Sequence, residues 1–228
     1  MSGAYYDKIE MLIGDAPGKW DKHCPLPPPS CVEEEIDKFL IAVNHFLDGD
    51  REGCLERISQ TRGPQMRDWF IELGQRSGKY RARKLNLPKP EKVGNESRDP
   101  TRSPNKYEEA VFKRDGHRCR YCGIRLISKK FMKKFIRTLD WPGFIKGSKN
   151  IERHGIIFAT YPYADHVKPW NQGGRTDGSN LVASCGCCNF GKASHTIEQM
   201  GIEDPFLRAP QVDGWDGLAG LQSALKGL

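Results

Sequence analysis

Apolar residues recur three and four apart at Ile36, Leu40, Val43 and Leu47, the spacing of one buried helix face, and predict a helix over 31–47. The proline run "CPLPPPS" before it cannot be helical, and Ser30 followed by Glu33 has the spacing of a capping box at the helix start. "DGD" at 48–50 stops it. A second short helix is predicted over 51–59 and a third from Pro64, whose fixed φ suits a first turn. Met66, Trp69, Phe70 and Leu73 would face a core from that third helix. From 87 to 105 the periodicity vanishes into "LPKPEKVGNESRDPTRSPN", which is linker composition. "KYEEAVFKRDG" resumes a helix with Tyr107, Val111 and Phe112 inward, and 128–139 reads as another, with Phe131, Phe135 and Leu139 on one face and lysines elsewhere. "YPYADHVKPW" at 161–170 is rich in aromatic and β-branched residues and reads as a strand. A glycine loop "NQGGRTDG", a short strand "NLVAS" and helical character from 185 to about 200 follow.

These elements predict an α+β chain in parts: a mainly helical N-terminal domain over 1–95, a linker over 96–106, a second domain over 107–202 and a tail over 203–228. The N-terminal part, expected to bind a partner or to regulate, carries no catalytic constellation. No apolar run approaches the roughly 20 residues of a membrane helix, and "MSGAYYDKIEMLIGDAPGKW" lacks the basic and apolar regions of a secretory signal. The expected compartment is the cytoplasm, where clustered cysteines stay reduced and bind metal more often than each other. Net charge is +7 and unevenly spread. Lys and Arg against Asp and Glu number 16 and 17 over 1–100, 15 and 5 over 101–160, and 5 and 7 over 161–228. The excess is confined to the middle of the chain, where it would attract a polyanion.

Two cysteine pairs, Cys119 with Cys122 and Cys185 with Cys188, have the two-residue spacing of metal knuckles, and each sits in a short glycine-containing turn. Two knuckles complete a tetrahedral Zn²⁺ site. The 62 residues between the pairs exceed the roughly 15–20 of a compact zinc ribbon, so a substructure is inserted between them. Cys187 competes with Cys188 in principle, but the two-residue spacing favours Cys188 and leaves Cys187 a free thiol. Cys24, Cys31 and Cys54 match no metal template, and two of them fit helix core positions.

Asp165 and His166 are adjacent on the first strand, so their side chains diverge and need not form a dyad. "RDGHRCRYCG" followed by "DHVKPWNQGG…SNLVASCGCCNFGK" resembles the HNH endonuclease superfamily. The matching residues are Cys119, Cys122, Asp165, His166, Pro169, Gly173, Gly174, Asn180, Leu181, Cys185, Cys188, Asn189 and Lys192, and the resemblance covers about 107–200. It implies a zinc-stapled ββα-metal fold and a one-metal phosphodiesterase. Bond cleavage needs a base for water and charge relief on the phosphate. A neutral His166 suits the first role. Asp165 and Asn189 offer the hard oxygen donors that Mg²⁺ prefers. Asn180, by resemblance, braces the loop and orients His166. Some family members carry a metal-binding histidine where this chain has Ala193, which favours Mg²⁺ or Mn²⁺ over a transition metal.

Lys192 and Arg175 are expected to grip phosphate, and the insert at 124–160, with Lys129, Lys130, Lys133 and Lys134, to bind nucleic-acid backbone beside the cut site. The resemblance implies DNA as substrate, a bacterial defence setting against phage or foreign DNA, a separate ATPase or sensor protein as partner, and a homodimer where both strands are cut. Two other classes stay open, a ribonuclease or toxin of the same fold and a zinc-dependent nucleic-acid-binding module with an idle site.

Overall fold

The computed structural model describes residues 22–71, 82 and 85–226. Leu73, expected on an inward helix face, lies outside them.

Helix α1, Val32–Leu47, buries Val32, Ile36, Phe39, Val43 and Phe46, with three glutamates in its first turn where the helix dipole favours them. Leu40 and Leu47 only flank this face. The capping box expected at Ser30 and Glu33 does not form, and the helix starts at Cys31 without a side-chain cap. Glu33 reaches instead to Arg125, accepting from its main-chain N at 2.9 Å and its Nε at 2.7 Å. Helix α2, Arg51–Ser59, is capped by Asp50, whose carboxylate accepts from Gly53 N at 2.8 Å. Helix α3, Gly63–Asp68, carries Pro64 in its first turn, and Met66, Trp69 and Phe70 are buried behind it.

Helix α4, Glu108–Arg114, precedes the first cysteine pair, and α5, Lys129–Leu139, and α6, Gly155–Ala159, lie between the pairs. Phe131, Phe135 and Leu139 of α5 are fully buried. Phe135 meets Phe39 and Phe46 of α1 edge-on, each at 5.4 Å between centroids. Arg51 at the start of α2 donates to Leu139 O, at the end of α5, at 3.0 Å. Burying those three α5 side chains is worth on the order of 5–9 kcal/mol. That fixes the helix in the core, so its lysines project from a clamped element and not from a mobile arm.

One continuous core therefore crosses the boundaries expected near 95 and 107. Periodicity marked both α1 and α5 as amphipathic, but could not tell that their apolar faces cover each other. The segment after 203 joins the same body. Leu218 and Leu225 are buried, Trp215 Nε1 donates to Leu126 O at 3.0 Å, and Ser128 N donates to Gly217 O at 2.8 Å.

Strand β1, Pro162–His166, pairs antiparallel with β2, Leu181–Cys185, so that Pro162 faces Cys185 and His166 faces Leu181. All of β2 is buried. β1 ends earlier than the sequence predicts, because Pro169 cannot donate to a ladder and Trp170–Gln172 turns as a 3₁₀ segment. Helix α7, Gly186–Lys192, follows β2 directly. The single helix expected from 185 to 200 is broken. Ala193 stops α7 with φ at +50°, and Thr196 restarts the chain as α8, Ile197–Met200, through a capping box with Gln199. Among the described residues no helix is long and apolar enough to cross a membrane.

His154 links the two helical groups, its Nε2 lying 3.0 Å from Thr61 Oγ1. Burial, reinforced by Arg67 and opposed by Glu35, pushes its pKa down from 6.5 to about 4. A histidine depressed on folding stabilises fully above its unfolded pKa and loses that contribution as pH falls toward the folded value. Between pH 6.5 and 4 the fold should lose on the order of 3 kcal/mol at this residue. Urea unfolding of wild type and His154→Gln at pH 7.5 and 4.5 checks this, the wild type being expected to lose more stability than the variant.

Candidate active site and thiol cluster

The Sγ atoms of Cys119, Cys122, Cys185 and Cys188 all lie within 4.8 Å of one another, and the Cys122–Cys185 pair is 3.8 Å apart. Four sulfurs at about 2.3 Å from one tetrahedral ion stand about 3.8 Å from each other, so the spacing suits Zn²⁺. The first knuckle is a tight turn in which Gly123 N donates to Cys119 O at 2.8 Å, and Gly123 takes a φ of +80°. In the second, Cys185 ends β2 and caps α7, its Sγ accepting from Cys188 N at 3.3 Å. Burial pushes the Cys185 thiol up to about 12 and Cys188 well above its ordinary 9.0. Three of the four sulfurs are buried and Cys122 is half-buried, so ionising them together needs a dication beside them, and soft sulfur donors in this number could hold zinc. Cys187 is buried but outside the cluster.

Tyr121, between the cysteines of the first knuckle, is buried and donates its hydroxyl to Asp165 Oδ2 at 2.7 Å. The same oxygen lies 3.4 Å from Lys192 Nζ, which also donates to His166 O at 2.9 Å. Burial raises the Asp165 pKa, while Lys192 and the Tyr121 hydroxyl oppose the rise. Lys192 is wholly buried, which corrects its expected role as a phosphate grip. Its ammonium faces inward, holding the carboxylate and the main chain of the two central residues. Removing one partner of such a pair leaves an uncompensated buried charge.

His166 ends β1 half-buried, and its Nε2 lies 2.9 Å from Thr176 Oγ1. Burial first, then Lys192 and Arg102, push its pKa down to about 4 against the pull of Asp99. The ring is therefore neutral at neutral pH and able to accept a proton. Asn180 spans the loop behind it, where Oδ1 accepts from Lys168 N at 2.8 Å and Nδ2 donates to Lys168 O at 2.9 Å and Arg175 O at 2.8 Å. Val167 N donates to Asn180 O at 2.9 Å, which pins the residue next to His166. Gly174 is required inside this bracket, since a Cβ there would lie 1.8 Å from Lys168 O.

Asp165, His166 and Asn189 line one cavity of about 470 Å³, and Lys92, Arg98 and Arg102 line it too. The first three bring an acid, a base and an amide oxygen from β1 and α7 to one space. Asp165 and Asn189 offer hard oxygen donors only, a set suited to a hard divalent cation.

Other expected phosphate contacts lie elsewhere. Arg175 is exposed and paired with Asp177 at 2.6 Å. Lys129 is paired with Glu108 at 2.7 Å, and Lys134 donates to Gln222 O at 3.1 Å. Lys130 and Lys133 are exposed on α5, and none of the four lysines lines the cavity. The expectation that they sit beside the cut site as a set is thus corrected, because the apolar face of α5 dictates where they point. Trp170 is held by Asp99 O, which accepts from its Nε1 at 2.8 Å, and two guanidinium groups cover its ring.

Sequence reasoning missed Tyr121, Thr176 and the three cavity cations. Tyr121 carried a signal, since a residue between two knuckle cysteines moves with the cluster. The cations carried none, being basic residues in a stretch of linker composition.

Residues 158–194 match the family model described as HNH endonuclease. No curated protein and no solved structure matches the chain.

Elemental analysis of the purified protein should find one zinc per chain, and Cys185→Ser should lose it together with thermal stability. Lys192→Met is expected to lower the unfolding free energy by about 3–5 kcal/mol, read by urea denaturation at neutral pH.

Proposed function

We propose that this protein, whose residues 158–194 carry an HNH endonuclease domain, is a metal-dependent endonuclease that hydrolyses phosphodiester bonds in DNA. The observation that carries the reading is the cavity shared by Asp165, His166 and Asn189. Its carboxylate is held by Tyr121 on one side and Lys192 on the other. A binding module would have no use for a buried acid presented beside a neutral histidine.

In the productive tautomer His166 Nε2–H donates to Thr176 Oγ1, which leaves the Nδ1 lone pair to take a proton from water. The water oxygen then bonds to phosphorus as the bond to the leaving oxygen breaks. Asn180 keeps the loop, and so the imidazole, in place through its contacts to Lys168 and Arg175. Lys192 fixes the His166 carbonyl and the Asp165 carboxylate together, so acid and base keep one relative geometry. Mg²⁺ or Mn²⁺, held by Asp165 and Asn189, would supply charge relief to the phosphate and the leaving oxygen. Cys119, Cys122, Cys185 and Cys188 would hold Zn²⁺, which would join the knuckle that carries Tyr121 to the start of α7.

DNA is the preferred substrate by the family resemblance, which also supports a restriction-type defence role, an ATPase or sensor partner, and a homodimer for double-strand cuts. Incubation with plasmid DNA and with RNA, with and without Mg²⁺ or Mn²⁺, tests the proposal. The expected result is metal-dependent DNA cleavage that falls roughly 10²–10⁴-fold in His166→Ala. Equal cleavage by the variant would remove the mechanism. Cleavage of RNA alone would assign the ribonuclease reading.

A further inference from the structure

We infer that residues 92–104 form a phosphate-gripping wall of the cleft, in which Lys92 and Arg102 contact the nucleic-acid backbone flanking the scissile bond. The inference deepens the nuclease reading and rests on it. Composition marks this stretch as a linker, yet it is docked across the site. Val93 N donates to Asn171 O at 3.0 Å, and Asp99 accepts from Trp170 Nε1 and, through Oδ2, from Thr176 N at 3.0 Å. The strand–strand loop is shaped to receive it, for a Cβ on Gly173 would lie 3.3 Å from Ser97 O and 3.8 Å from Val93 Cγ2.

Its charges are sorted by direction. Asp99 uses its carboxylate on main-chain amides, Oδ1 on Thr101 N at 2.8 Å and Oδ2 on Thr176 N. It makes no ion pair with Lys92, Arg98 or Arg102 among the described residues. Arg98 is tied into the turn, donating to Val93 O at 2.5 Å and to Asn95 Oδ1 at 2.6 Å, and its guanidinium lies over the Trp170 ring. Arg102 lies on the same ring at 5.4 Å from the centroid. Lys92 and Arg102 are exposed, line the cavity with Asp165 and His166, and are paired with no carboxylate among the described residues. Two solvated cations held beside a hydrolytic centre, on a segment already anchored, are pre-organised for an anionic backbone. The lysine-rich α5, by contrast, presents nothing to this cavity.

The test measures affinity and its salt dependence in a His166→Ala background, using a fluorescein-labelled DNA duplex and an RNA of the same sequence. Lys92→Gln with Arg102→Gln should weaken binding and reduce the slope of log K against log salt by about 2, one unit for each phosphate no longer neutralised. Lys146→Gln with Lys149→Gln makes the same charge change on exposed residues away from the cavity and serves as the control. All four side chains are exposed, and circular dichroism melts check that each variant folds. A slope unchanged in the first double variant, or reduced equally in the control, overturns the inference. A reduction seen with one nucleic acid only assigns the wall to that one. If cleavage requires His166 but the slope does not move, the wall alone fails. If the slope falls while wild type cuts neither DNA nor RNA, Lys92 and Arg102 are nucleic-acid contacts, but the nuclease reading fails and with it their place beside a scissile bond.

Discussion

Four thiols from opposite ends of a long insertion meet within 4.8 Å, and the placement of the central residues follows from that meeting. The first knuckle brings Tyr121 to Asp165, and the second starts the helix that carries Asn189 and Lys192. β1 supplies Asp165 and His166 between them. A strand, a turn and a helix that share no long contact surface are thereby set to one another by a point constraint. An ion held there would stiffen that point, since thiolates around one ion leave little angular freedom.

Within that frame the site balances opposed electrostatic demands. The Asp165 carboxylate is buried, which by itself favours its protonated form. A tyrosine hydroxyl and a buried lysine offset this, and both converge on a single oxygen, Oδ2. The histidine next to it experiences the reverse: burial and the same lysine favour its neutral form. One ammonium thus helps to keep the acid charged and the base uncharged, and it does so from a position that solvent does not reach.

Much of this was legible in the chain. The cysteine spacings could be read because a metal knuckle fixes residue type and local spacing together, whereas the Asp165–His166 pair, Asn180 and Asn189 could be reached only through the resemblance of the surrounding motif. α1 and α5 could be read because their apolar periodicity is strong. The role of Lys192 was misread because charge was taken to mean exposure, and that of the α5 lysines because the apolar face of the helix, not its charge, sets where they point. Lys192 is drawn inward by a carboxylate that only tertiary structure brings near it. The docking of 92–104 was invisible because its anchors are main-chain groups and one aspartate, which leave no periodic trace. Glu33 shows the same limit, for a sequence that fits a capping box spent its acid on Arg125, 92 positions away.

The continuous core carries a consequence for modularity. Motif searches single out a short nuclease cassette, but cutting the chain at its borders would not yield a portable part. Severing at 106 would strip Trp170 Nε1 and Thr176 N of their acceptors on Asp99, and would expose the phenylalanine face of α5 that Phe39 and Phe46 cover. The helices ahead of the motif are scaffold to the matched domain. Recombination could exchange the described residues as one body but not the matched motif alone.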